Sequence, residues 1–228
     1  YPLRRQRQMC IRDSNKADYY VTKLVQRGLG YEFTVVAPDL VIPKIRLGVP
    51  GRLMVENALA ATAVAHQLGI APEVIARALA SYRGVERRFD VRVAEEDRIY
   101  IDDYAHHPEE IRAFLSSVRA LFPGEKIAGV FQPHLYSRTR DFAAEFASSL
   151  EMLDSLIMME IYPAREEPLP GVTSSMILDR VQIKDKVLVT REQLMRAIGE
   201  RNPRFLVTMG AGDIDQFVEP ITAWMKRK

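Results

Sequence analysis

Three of the four histidines in the sequence fall in two short polar strings, Asp102-Asp103-Tyr104-Ala105-His106-His107-Pro108 and Gln132-Pro133-His134-Leu135-Tyr136-Ser137-Arg138-Thr139-Arg140. Each follows a short apolar run, so carboxylates, imidazoles and guanidinium groups arrive where a buried strand ends. Imidazole can take or hold a proton near neutral pH, and Arg138 presents a planar donor fork matched to a carboxylate or phosphate. Arg165 adds a second fork in the third string, Tyr162-Pro163-Ala164-Arg165-Glu166-Glu167. A fourth string, Gly210-Ala211-Gly212-Asp213, places small residues where amides at a helix start can approach an anion. The set points to polar, anionic substrates. A zinc site is the alternative, opposed by the divergence of neighbouring His106 and His107 and by the lack of HExxH spacing. Taken singly, Asp103 also suits a helix start and Arg140 a solvated helix face. Four coincident strings argue against that blander account.

Four loops at one edge require parallel strands, and the second half of the chain has their pattern. Apolar runs RIYIDDY, KIAGVFQ, SLIMMEI, KVLVT and RFLVTMG alternate with helical stretches over 108–121, 140–150, 174–181, 192–200 and 214–228. Strand–helix alternation of this kind predicts a mostly parallel, doubly wound α/β sheet with helices on both faces and ligands beyond the carboxyl ends of its strands. Earlier, 17–49 alternates β-rich runs with Gly and Pro breaks, which predicts a meander of short strands. A helix over 56–68 follows, Gly69 stops it, and Pro72 opens another that ends near Tyr82. The glycine-led GVERRFDV, 84–91, reads as a hinge. Residues 1–14 carry four arginines and no apolar period, so they are expected to be a non-native or disordered segment, with a native basic arm as the alternative.

A chain of 228 residues, 47% hydrophobic and 27% charged, suits one large domain or two modest ones. A net charge of +2 offers no basic stripe for a phosphate backbone, so nucleic acid is not an expected partner. Cys10 is the single cysteine, which excludes an intramolecular disulfide. No apolar run approaches the roughly 20 residues that cross a bilayer, and the start lacks signal-peptide order. A cytoplasmic enzyme without membrane insertion is expected.

The order DDYAHHPEE, FQPHLYSRTRDF, IYPAREEPLPGVTS, TMGAGDI resembles the C-terminal domain of the Mur ligase family, in its alanine-adding branch. Upstream, PGRLMVENALAATAVAHQLGI and GVERRFD resemble the end of that family's central ATPase domain. The resemblance implies that 15–90 is the C-terminal part of a central P-loop ATPase domain and 91–228 a Rossmann-like, mostly parallel, doubly wound C-terminal domain. It implies an ATP-dependent ligase of peptidoglycan synthesis that adds L-alanine to UDP-N-acetylmuramate through an acyl phosphate. ATP and Mg2+ would be its cofactors, with the magnesium ligands mainly outside this chain. By motif, Asn57 matches an asparagine near the adenine, Arg88 an ATP-contacting arginine, and Asp103 an acidic residue of the nucleotide's second wall. Tyr104, His106, His134 and Arg138 match positions lining the amino-acid and phosphate region. There His106, His134 and Arg138 would be catalytic, and Tyr104, His134 and Arg138 would bind substrate.

The sequence departs from the family at Leu53-Met54, often His-Asn, and at Leu135, often arginine, which puts adenine and phosphate contacts there in question. It contains no GxxxxGK[ST] phosphate loop, so a truncated piece that does not turn over alone is expected. Rival readings are a tripeptide-recycling ligase, which Ala105 slightly favours, a non-catalytic nucleotide- or amino-acid-binding module, and a metal hydrolase.

Overall fold

The computed structural model describes residues 17–227, and the segment 1–14 singled out above lies outside them. The chain divides into two compact units after Gly84.

The first unit opens with strands β1 (Tyr20–Arg27), β2 (Gly30–Ala37) and β3 (Leu40–Leu47), an antiparallel meander in that order. Helices α1 (Arg52–Gln67) and α2 (Pro72–Ser81) follow. Phe33 and Val35 on β2 and Ile42, Ile45 and Leu47 on β3 pack with Val55, Ala58 and Ile75 from the two helices. α1 begins four residues before the apolar period suggests. Gly51, at φ 90°, makes the turn into it, a conformation that costs other residues more. α2 starts at Pro72, whose missing N–H is no loss in a first turn.

The second unit holds a six-stranded sheet of β4 (Asp90–Ala94), β5 (Ile99–Asp103), β6 (Ile127–Phe131), β7 (Ser155–Met159), β8 (Asp185–Val189) and β9 (Phe205–Met209). Their order is β4-β5-β9-β6-β7-β8, and every pairing is parallel except β4 with β5. This is the mostly parallel α/β fold expected. Alternate strand residues feed two separate cores. Ile101, Phe131, Met158 and Val207 join α3 (Pro108–Leu121), α5 (Ala143–Leu150) and α6 (Ser175–Leu178). Tyr100, Val130, Ile157 and Leu206 join α7 (Leu194–Arg201) and α8 (Val218–Met225).

Three local expectations change. The hinge string runs into β4, an edge strand whose half-buried pattern carries little signal. The helix expected over 140–150 is two, α4 (Tyr136–Asp141) and α5, broken at Phe142 where the backbone leaves helical geometry. The closing helix starts as a 3-10 turn, Asp213–Phe217, before α8. Among the described residues no helix is long and apolar enough to cross a membrane.

Candidate functional site

β9, the last strand in the chain, lies between β5 and β6, and all five of its residues are buried. The chain order therefore reverses at this point, and a doubly wound sheet opens a crevice there beyond the carboxyl ends of its strands. The loops after β5, β6, β7 and β9 carry the four polar strings.

Three of those loops are joined by a row of rings. Tyr104 meets His106 edge-on with centroids 5.1 Å apart, His106 meets His134 edge-on at 5.7 Å, and His134 stacks on Tyr162 at 5.9 Å. Arg138, on α4, donates from Nη1 to the His106 carbonyl, 3.3 Å. Tyr104, His106, His134 and Arg138 are thus brought together. Burial, helped by the positive charge of Arg138 and by His106, holds the His134 imidazole below its ordinary range, so it is neutral at pH 7. Its Nδ1 is buried without a hydrogen-bond partner.

Asp103 takes a different place from a helix cap. Its Oδ2 accepts from the Phe89 amide (2.7 Å) and its Oδ1 from the Ala105 amide (2.8 Å), so it ties the segment before β4 to the end of β5. Burial raises its carboxyl to about 6. The cap of α3 is His107, which accepts from Glu109 N while the Glu110 carboxylate accepts from the His106 and His107 amides. Arg88 remains exposed, its guanidinium 5.3 Å over the Tyr104 ring. Arg87, not singled out from sequence, is anchored: Nε donates to the fully buried Asp102 (3.0 Å) and Nη2 to the Gly210 carbonyl (2.6 Å). Thr208 completes the neighbourhood by donating to Asp102 and meeting Tyr100 Oη at 2.9 Å.

The fourth string serves packing rather than an open amide cradle. A Cβ on Gly212 would lie 2.4 Å from Gln132 Oε1 and 2.5 Å from Tyr162 Cβ. Gln132 Oε1 already accepts from Ile214 N (2.9 Å), and Gln132 Nε2 donates to Asp213 (2.7 Å). Arg140 pairs with its neighbour Asp141 and Arg165 is exposed, so neither joins the ring row. Asn57 lies on α1 in the first unit, exposed, its amide 3.9 Å from Met54 Sδ. Leu53 is exposed on the same helix, whereas Leu135 is the residue just before α4. Tyr162, Glu166 and Gln132 stood in the polar strings without an assigned part; their contacts cross between loops and leave no periodic trace. Among the described residues no three His, Cys, Asp or Glu side chains gather as a metal site.

A family model described as Mur ligase, glutamate ligase domain, matches residues 87–212. A UDP-N-acetylmuramate–L-alanine ligase of Parabacteroides distasonis is 44% identical over 205 residues, 90% of this chain and 44% of the relative. One from Porphyromonas gingivalis is 44% identical over 215 residues, 94% of this chain and 47% of the relative. The crystal structure of the UDP-N-acetylmuramate-alanine ligase of Thermotoga maritima superposes with a TM-score of 0.72 at 28% identity, covering 92% of this chain and 47% of that one. A folylpolyglutamate synthase from the same organism, 17% identical with a TM-score of 0.67, shares the fold over 89% of this chain and 47% of its own. The chain spans about half the length of the curated relatives it matches. With the family model covering more than half of its length, the chain belongs to the Mur ligase family.

Proposed function

We propose that this chain is part of an ATP-dependent ligase that joins L-alanine to UDP-N-acetylmuramate in the cytoplasm, for peptidoglycan synthesis. The observation that carries the proposal is the convergence of Tyr104, His106, His134 and Arg138 beyond the carboxyl ends of neighbouring parallel strands. Residues 15–90 are assigned to the end of the central ATPase domain and 91–228 to the C-terminal domain. In this reading Arg138 binds the alanine carboxylate through its planar fork. Neutral His134 is suited to accept a proton from the alanine ammonium and free the amine that attacks the activated carboxylate. His106 shares that region and Tyr104 walls it.

The exposed Arg88 guanidinium fits an anionic nucleotide, and Asn57 and Asp103 are assigned to its adenine and second wall. Bound ATP would supply the phosphoryl group that activates the carboxylate. Mg2+ would be its metal, with the ligands assigned mainly to the rest of the ligase.

The experiment is steady-state kinetics of Arg138→Lys in the full-length ligase. Weakening one geometry-dependent charged contact should raise the KM for alanine about tenfold and leave that for ATP near the wild-type value. An unchanged alanine KM removes Arg138 from the amino-acid site, and a selective loss for ATP moves it to the nucleotide.

A further inference from the structure

The loop after β7 holds α4 more closely than a connection to the next helix requires. The Leu135 amide donates to the Tyr162 carbonyl (3.0 Å) and the Tyr162 amide to the Pro133 carbonyl (2.9 Å), a short parallel bridge between His134 and Tyr162. The chain then turns sharply. Ala164 adopts a left-handed φ of 52°, and the Glu166 amide closes the turn on the Pro163 carbonyl at 3.0 Å. This returns the Glu166 carboxylate to the start of α4, where Oε2 accepts from the Ser137 amide (2.9 Å) and Oε1 from the Ser137 hydroxyl.

α4 needs such help. It has six residues, no side-chain cap from its own N-terminal residue, and an entry through Leu135 at φ 72°, a conformation unfavourable for any side chain with a Cβ. An isolated turn of that length does not hold itself. It carries Arg138 and directly follows His134, so a drift at its start displaces both. The hydrogen bonds from the Ser137 hydroxyl and amide also hold the Glu166 carboxyl below its ordinary range, so the acceptor stays ionised near neutral pH.

We propose that Glu166 is a positioning residue: by capping α4 through Ser137 it sets where Arg138 and His134 stand in the site. The functional part of this inference rests on the preceding assignment of those two residues to the amino-acid site. The capping itself does not.

The test uses nitrogen-15 NMR on the 228-residue chain, whose four histidines make the His134 ring signals assignable by substitution. Glu166→Ala should speed exchange of the Ser137 amide about tenfold, as for loss of one charge-assisted hydrogen bond. It should also move the His134 ring protons away from the shift that stacking on Tyr162 imposes, with little change in Tm. Glu166→Gln, which keeps an acceptor, should recover most of both. Unchanged Ser137 exchange and an unmoved His134 signature in Glu166→Ala would overturn the proposal. So would a general loss of stability in which the His134 ring keeps its shift and Gln rescues nothing. Arg138→Lys kinetics test the amino-acid assignment separately: failure there with the NMR result intact removes that assignment and leaves Glu166 as the residue that positions α4.

Discussion

On Asp103, burial and hydrogen bonding pull in opposite directions. Burial is the larger and carries its carboxyl from 3.8 to about 6, against the amides of Phe89 and Ala105 and the charge of Arg88. The folded value lies above the unfolded one. The stability this group contributes is therefore full below about pH 4 and is lost as pH rises through about 6. A shift of this size corresponds to on the order of 2 to 3 kcal/mol. Denaturant unfolding of the wild type and Asp103→Asn from pH 4 to 7.5 checks it. The wild type's stability relative to the variant should fall by that amount across the window and level off above about pH 7. A difference independent of pH would show that Asp103 titrates as an ordinary surface acid. Asp102, also raised by burial, is common to both proteins and largely cancels from the comparison.

The turn after β9 depends on closeness rather than on an open anion cradle. Gly212 lies against both Gln132 and Tyr162, so an added methyl must displace the Gln132 amide that holds Asp213 and Ile214. Gly212→Ala should cost about 1 to 3 kcal/mol, the usual range for overpacking. Gly199, inside α7 with open space around its Cβ position, is the control, and Gly199→Ala should stabilise by about 0.5 to 1 kcal/mol through helix propensity. Equal effects of the two substitutions in urea unfolding would remove the close-approach account. In sequence the GAGD string is by itself a weak sign of an anion site, since glycines after a strand often serve close helix packing. The decision comes from Gln132, 81 residues away, whose carbonyl oxygen takes the helix-start amide first.

The division into two units after Gly84 has a consequence for the entire chain. The hinge string 84–91 contains Arg87 and Arg88, yet Arg87 is anchored on Asp102. The Phe89 amide, on the bond a protease would cut after Arg88, donates to the buried Asp103. Arg92, just beyond, lies in β4 paired with Asp90 and Glu219. Arg83 is exposed and outside regular structure. Limited trypsin digestion under native conditions should therefore cut after Arg83 before Arg87, Arg88 or Arg92 and leave a persistent fragment that begins at Gly84. Mass spectrometry of the early fragments reads the order, and first cleavage after Arg87 would mean that its ion pair does not hold the segment.

Much of the α/β framework was legible because its signals are local. Short continuous apolar runs in the central strands, helical spacing between them, Pro72 at a helix start and four polar strings after apolar runs all lie within a few residues of one another. The same strings carried the family resemblance. What needed the tertiary structure was every pairing across long separations. β9 enters between β5 and β6, where a fully buried strand finds cover on both faces. Glu166 caps a helix 29 residues before it, and Asp103 joins the Phe89 amide across 14 residues instead of starting a helix. Periodicity records which face of an element is buried. Which loop a carboxylate reaches depends on how the strands are ordered, and that is decided when the two cores close on the sheet.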